Sequence, residues 1–217
     1  MITFARMQRP HLSFQSILKA LEVDTACIPL LERAPGYPDL LRAESPQAIF
    51  HAIHTIGGIL NIPERADRLV EELSERINLI SHKLKFITEE NKPRVALFGD
   101  GSPMAVANDG YIGNLIQVAG GVLLPEPSVN DRNVDVLIVR SEKPVSELLT
   151  GLPQSLSRWS DHPALVQNRL YIIHHRAHLR APGALIADDA EVLAEILYPN
   201  YFVFGRDEDV WMKFDWQ

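Results

Sequence analysis

From Pro63 to Ile87 the chain reads PERADRLVEELSERINLISHKLKFI, with no proline or glycine after its first residue. Ala66, Leu69, Leu73, Ile77, Ile80, Leu84 and Ile87 recur at steps of three or four, which puts them on one stripe of a helix. Pro63 fits the first helical position, where its missing N–H leaves nothing unsatisfied. About 25 residues at 1.5 Å each extend roughly 37 Å, long for a globular helix. No second segment offers heptads for it to pair with, so it is expected to be a strut within the chain rather than half of a coiled coil.

The flanking segments differ in clarity. Upstream, SPQAIFHAIHTIGGILNI puts Ser45 at an N-cap and Pro46 at the first helical position, with Ile49, Ile53, Ile56 and Leu60 on one stripe. Before Ser45 the pattern weakens: SFQSILKALEV predicts a short helix, TACIPLL a short strand, and ERAPGYPDL a loop. Downstream, elements alternate. RVALFGD predicts a strand, DGYIGNLIQVAG a helix capped by Asp109 and ending at Gly120 and Gly121, and VDVLIVR a strand apolar on both faces. KPVSELLTGL supplies a short helix, SLSRWSDHPAL an irregular connection, RLYIIHH another strand and DDAEVLAEILY a closing helix.

Strands alternating with helices imply an α/β fold. Right-handed crossovers make the sheet mainly parallel, with a ligand crevice outside the carboxyl ends of its strands. Three loops leave those ends: Asp100 to Asn108, Ser141 to Lys143, and His174 to Pro182.

The chemistry legible at that mouth excludes more than it assigns. GDGSPMAVANDG lacks both GxGxxG and a GK[ST] ending, so neither a dinucleotide fingerprint nor a P-loop is present. Ser102 lacks the G-x-S-x-G nucleophile elbow, and no nucleophile, base and acid form a recognisable set. His174, His175 and His178 could ligate a metal or act as pocket-wall side chains; no H-E-x-x-H supports a metalloprotease. Cys27, the single cysteine, stands in the apolar stretch ACIPLL and excludes an intrachain disulfide. With a formal charge of -7 and dispersed Lys and Arg, general binding to nucleic acid or to anionic membranes is disfavoured. The first residues, MITFARMQRPHLSF, carry no recognisable export signal, which points to a cytoplasmic chain or a removed leader. What remains suits an amphipathic pocket. Phe98, Met104, Tyr111, Trp159 and Tyr171 could cover a large flat ligand while Asp100, His174 and Arg176 hold its polar edge; core packing is the alternative for the aromatic residues.

In the order and spacing of AIHTIGGILNIPERADRLVEELSERI, RVALFGDGSPMAVANDGYIGNLIQVAGG, VDVLIVR, RWSDHPALVQNRLYII and RAPGALIADDAEVLAEILYPNYF, residues 45 to 202 resemble the helical-backbone periplasmic binding proteins of ABC importers. The likeness is to the vitamin B12, haem and ferric-siderophore group. It implies a non-enzymatic protein requiring no cofactor, whose medium-to-large ligand, a corrinoid, haem or ferric chelate, is clasped at an interlobe crevice. Residue by residue, it makes Phe98 and the loop carrying Asp100, Ser102 and Met104 one ligand wall, and the loop from His174 through Arg176 to Arg180 another. His174 then becomes a candidate axial ligand. The resemblance implies a periplasmic or lipid-anchored location and docking on an ABC permease, weakened because Leu179 falls where the second-lobe docking glutamate is expected.

It also implies three parts: a reduced N-terminal lobe over 1–62, the long connecting helix over 63–88 and a C-terminal α/β lobe over 89–217. The family's usual first strand and helix are missing from the front. A shortened lobe leaves a sheet edge to cover, by homodimerisation or by the aromatic tail FVFGRDEDVWMKFDW. The alternative function is an assembly module on the same scaffold.

Overall fold

The computed structural model describes residues 15–35, 42–100, 102–104, 106 and 110–216. Two compact units emerge, one of 1–79 with 180–188 and the other of 80–179 with 189–217. They do not follow the division expected at 62 and 88. The first unit takes the long helix as far as Leu79 and recruits a returning segment from beyond the last parallel strand.

Among its described residues the first unit is helical. It contains α1 (15–20), α2 (Ile28–Glu32), α3 (Pro46–Ile59) and most of α4 (Pro63–Leu84). Ser45 caps α3 as expected, its Oγ accepting from the Ala48 N–H at 3.2 Å, and Ile49, Ile53 and Ile56 are buried. The strand expected over TACIPLL is instead a 3-10 turn running into α2. Asp24 accepts from the Ala26 N–H at 2.7 Å, and Pro29 occupies the first turn of α2, so a cap and a proline outweigh the apolar run. Where α3 meets α4, a Cβ on Gly57 would lie 2.4 Å from that of Ala66; glycine permits the approach. Helix α4 ends at Leu84 rather than at Ile87. The Ile87 N–H reaches back three residues to the Leu84 carbonyl, tightening the last turn, and Thr88 is extended.

The second unit is built on a six-stranded sheet of β1 (Arg94–Gly99), β2 (Ser102–Pro103), β3 (Val122–Leu124), β4 (Val136–Arg140), β5 (Leu170–Ile173) and β6 (Trp211–Phe214). Strands β3, β1, β4 and β5 run parallel in that spatial order. Strand β2 pairs antiparallel with the end of β1, and β6 antiparallel with β5. The fold is thus α/β with a mainly parallel sheet, as the alternation predicts. Helices α5 (Tyr111–Val118), α6 (Val145–Ser155), α7 (Pro163–Val166) and α8 (Ile186–Leu197) complete the crossovers, α8 entering this unit at Asp189.

Both faces of this sheet are covered. On one, Ala96, Phe98, Leu137, Val139, Leu170 and Ile172 pack with α6, α7 and Trp159. On the other, α5 and α8 converge on β1: a Cβ on Gly121 would meet Leu197, Ile116 and Val95 between 2.8 and 3.3 Å. Helix α5 closes there with Gly120 at φ +78°. The Gly121 N–H bonds Ile116 O and the Gly120 N–H bonds Gln117 O, the double closure that favours glycine just beyond a helix.

Two expectations about the tail and the helix caps change. The aromatic tail, expected as cover for a first-lobe edge, forms β6 and extends the second unit's own sheet alongside β5. Its loop is gripped by α8, where the buried carboxylate of Glu195 accepts from the N–H groups of Phe204, Gly205 and Arg206 and from the Trp211 indole at 2.7 to 3.2 Å. The N-cap position of α5 is Gly110, and Asp109 lies outside the described residues.

Candidate functional site

The connectivity of the parallel strands singles out one point. From β1 the chain crosses through α5 to β3 on one side; from β4 it crosses through α6 and α7 to β5 on the other. Strands β1 and β4 are neighbours whose crossovers depart in opposite directions and cover opposite faces. Their carboxyl ends therefore form a topological switch point, the position where open α/β sheets place ligands.

Asp100 leaves β1 at this point with φ +51°, as the first residue of a two-residue connection from Gly99 to Ser102. An Asp-Gly pair between two strands is a hairpin signal that the sequence carries in plain letters. So Ser102 is not part of a wide loop: it sits exposed in β2, opposite Gly99. Met104 follows and lies over Gly99, where a Cβ would come within 2.9 Å of its Sδ. From the neighbouring strand, the Ser141 hydroxyl donates to Asp100 Oδ1 and accepts from the Lys143 N–H at 3.1 Å. Ser141 is buried while Asp100 is exposed, so the serine fixes a carboxylate that still faces water. Arg140, the last residue of β4, donates from Nη1 to the Leu179 carbonyl at 3.1 Å.

The third loop completes the rim. His174 and His175 both donate their backbone N–H to Val210 O, which ties the end of β5 to the start of β6. His174 is half-buried, and His175 and Arg176 are exposed. The His175 ring accepts from the Ala177 N–H through Nδ1 at 3.3 Å and meets the His178 ring edge to face, 5.1 Å between centroids. Partial burial, then the neighbouring His178 and His174, push the His175 pKa down, against an opposing pull from Asp209.

Beneath the rim is a buried polar cluster. His178 Nδ1 lies 2.7 Å from Asp189 Oδ1, and the Tyr111 hydroxyl donates to Asp189 Oδ2 at 2.8 Å. Asp189 is fully buried, and burial raises its pKa even though both hydrogen bonds favour the carboxylate. Asp189 was not foreseen. The signal was the helix itself: Leu185, Ile186, Val192 and Leu193 stand three or four positions from Asp189, which puts the carboxylate on the apolar face, and a buried acid needs a donor. Tyr111, expected against a ligand, spends its hydroxyl here instead.

Several expected site residues lie elsewhere. Phe98 and Trp159 are 0% and 5% exposed, pack edge to face at 5.0 Å and face the core rather than a ligand. Tyr171 is buried against Trp211 at 5.7 Å. Arg180 belongs to the first unit, whereas the other six ligand-wall residues belong to the second. Leu179 is fully buried at φ +52°, so this position does not offer the exposed side chain that a docking glutamate requires. Asp100, Ser102 and Met104 follow the carboxyl end of β1, and His174 and Arg176 that of β5, with β4 between the two strands. No group of three or more His, Cys, Asp or Glu side chains suited to a metal ion occurs among the described residues.

No protein-family profile and no curated protein matches the chain. Solved structures do. An ABC transporter substrate-binding protein from Listeria monocytogenes EGD-e superposes with a TM-score of 0.61 at 19% identity, over 74% of this chain and 67% of that one. S. aureus IsdE complexed with heme gives 0.58 at 18% identity, over 72% and 66%. The TroA-like periplasmic binding protein FepB from Veillonella parvula gives 0.58 at 20% identity, over 78% and 56%. The fold is that of ABC-transporter substrate-binding proteins. This chain spans about two thirds of the first two structures and just over half of the third. Nothing in the fold or these likenesses supports the expected homodimer.

Proposed function

We propose that the chain is a substrate-binding protein of ABC-transporter type, acting outside the cytoplasm. It takes a corrinoid, haem or ferric chelate against the carboxyl-end rim of its second unit. The observation that carries this reading is the switch point between β1 and β4, where Ser141 holds the exposed Asp100 carboxylate beside the loop bearing His174 and Arg176. Binding is non-covalent and needs no cofactor. Asp100 and Arg176 offer opposite charges to a ligand's polar edge, Met104 offers apolar contact over Gly99, and His174 is the candidate axial ligand to a bound metal centre. The likeness to substrate-binding proteins, one of them solved with heme, supports the class of ligand.

The test is a visible absorption titration of the full chain with haemin and with cyanocobalamin, paired with co-elution on a sizing column. Saturable binding of one of them at a single site is expected. A flat titration with both would remove corrinoids and haem from the proposal, and a parallel titration with ferric siderophores would then decide the remaining class.

A further inference from the structure

Two segments of the second unit come together at the end of α4. Lys83 Nζ donates to the Tyr201 carbonyl at 3.2 Å and sits 5.1 Å from the centre of the Phe202 ring. Among the described residues, three of the four exposed large apolar side chains of the unit lie on these two segments, Phe86 at 83%, Val203 at 85% and Tyr201 at 53% exposure; the fourth, Val166, is on α7. Lys85 lies over the Phe86 ring, 4.9 Å from its centre, so each of the two ammonium groups covers its own aromatic ring. Neither segment, 81–88 nor 196–206, contains an Asp or Glu, although the chain holds 28 of them. Glu89 and Glu90 follow the first segment, with Glu89 paired to Lys92; Glu191 and Glu195, on the helix before the second, are taken up by Arg206 and the tail amides.

We propose that this patch, Phe86, Tyr201 and Val203 between Lys83 and Lys85, is a contact surface for an anionic lipid bilayer. Exposed aromatic and aliphatic side chains flanked by lysines match an interface whose outer layer is negative and whose next layer is apolar. Phe86 and Val203 stand free in solvent beside Lys83 and Lys85, so apolar groups and positive charge are presented together, as a bilayer with a negative outer layer requires. The charge disfavours a second copy of the chain, because a two-fold contact through the patch would set the lysines of one protomer against those of the other. The net charge of -7 opposes adsorption in any other orientation, so binding depends on these few residues. This surface is independent of the ligand rim, and its failure would leave the proposed function standing.

Flotation of the full chain with phosphatidylglycerol-rich vesicles, and with pure phosphatidylcholine vesicles, tests it. The wild type is expected to float with the first, to dissociate as salt rises, and to float poorly with the second. Lys85→Gln should weaken binding roughly fivefold. The pair Phe86→Ser with Val203→Ser should weaken it about tenfold or more, at an unchanged urea midpoint because both side chains are solvent-exposed. Three results would overturn the proposal: no preference for the anionic vesicles, binding that survives both variants, or a lipid-free dimer that the serine pair dissociates.

Discussion

Two carboxylates, both on α8 and both buried, are used in different ways. Asp189 takes its donors from the side chains of His178 and Tyr111 and so holds up the rim loop. Glu195 takes its donors from three backbone amides and an indole and so clasps the tail against the sheet. Side-chain donors can gain or lose a proton or be changed by one substitution, whereas backbone amides cannot. The difference separates a region whose strength follows pH from one whose job is architecture. The tail, read in sequence as cover for a sheet edge of the shortened lobe, is in structure a sixth strand that this clasp holds.

The comparison can be broken most forcefully at the clasp. Glu195→Ala strands three N–H groups and the Trp211 indole in a part-buried setting, which should cost about 3 kcal/mol. Urea unfolding checks it, and Trp211 fluorescence should shift to the red as β6 loosens. A loss within experimental error would show that the tail is held by its strand pairing alone.

Next in size is Asp189→Asn, expected to cost about 2 kcal/mol by weakening the bonds to His178 and Tyr111. Its pH dependence carries the sharper test. Burial raises the folded pKa of Asp189 above its ordinary 3.8, so between 3.8 and the raised value the folded state holds a proton that the unfolded state has released. The stability from that proton is complete below 3.8 and is lost as pH rises through the folded pKa. The gap between wild type and Asp189→Asn should therefore be widest in acid and narrow on going up in pH. A gap that widens with pH would mean that the ion pair with His178 outweighs burial.

Smaller still, Ser141→Ala removes the hydroxyl that fixes Asp100 and leaves the Lys143 N–H without its partner, about 1 kcal/mol by urea unfolding. Because Asp100 itself is exposed, the larger consequence should be a several-fold weaker ligand at the rim with little change in fold.

Much of this frame is legible in the sequence where one local rule dominates. Ser45 and Pro46 announce α3, the stripe from Ala66 to Leu84 announces α4, and VLIVR and LYII announce strands buried on both faces. Legibility fails where a short signal competes with a stronger one. At TACIPLL the apolar run hides the Asp24 cap and Pro29. After β1 the hairpin that pairs Gly99 with Ser102 is hidden by a stretch of small residues that looks like a ligand loop. At the rim, residue type singles out Asp100, His174 and Arg176, which leave strand ends with exposed or half-buried side chains. It misplaces Phe98 and Trp159, because an aromatic ring suits a core and a pocket equally well and only the direction of the side chain decides. Asp189 depends on His178, eleven residues earlier in an irregular loop, a pairing that no periodicity encodes.

The division between a binding rim and an architectural clasp can be measured directly by titrating the ligand that the absorption screen identifies into His174→Ala and Glu195→Gln side by side, with urea unfolding of each. His174→Ala should bind at least about tenfold more weakly at an unchanged unfolding midpoint. Glu195→Gln should unfold earlier yet bind, as long as it is folded, with wild-type affinity. If His174→Ala binds as the wild type does, or if Glu195→Gln loses the ligand while still folded, the rim is not where the ligand sits.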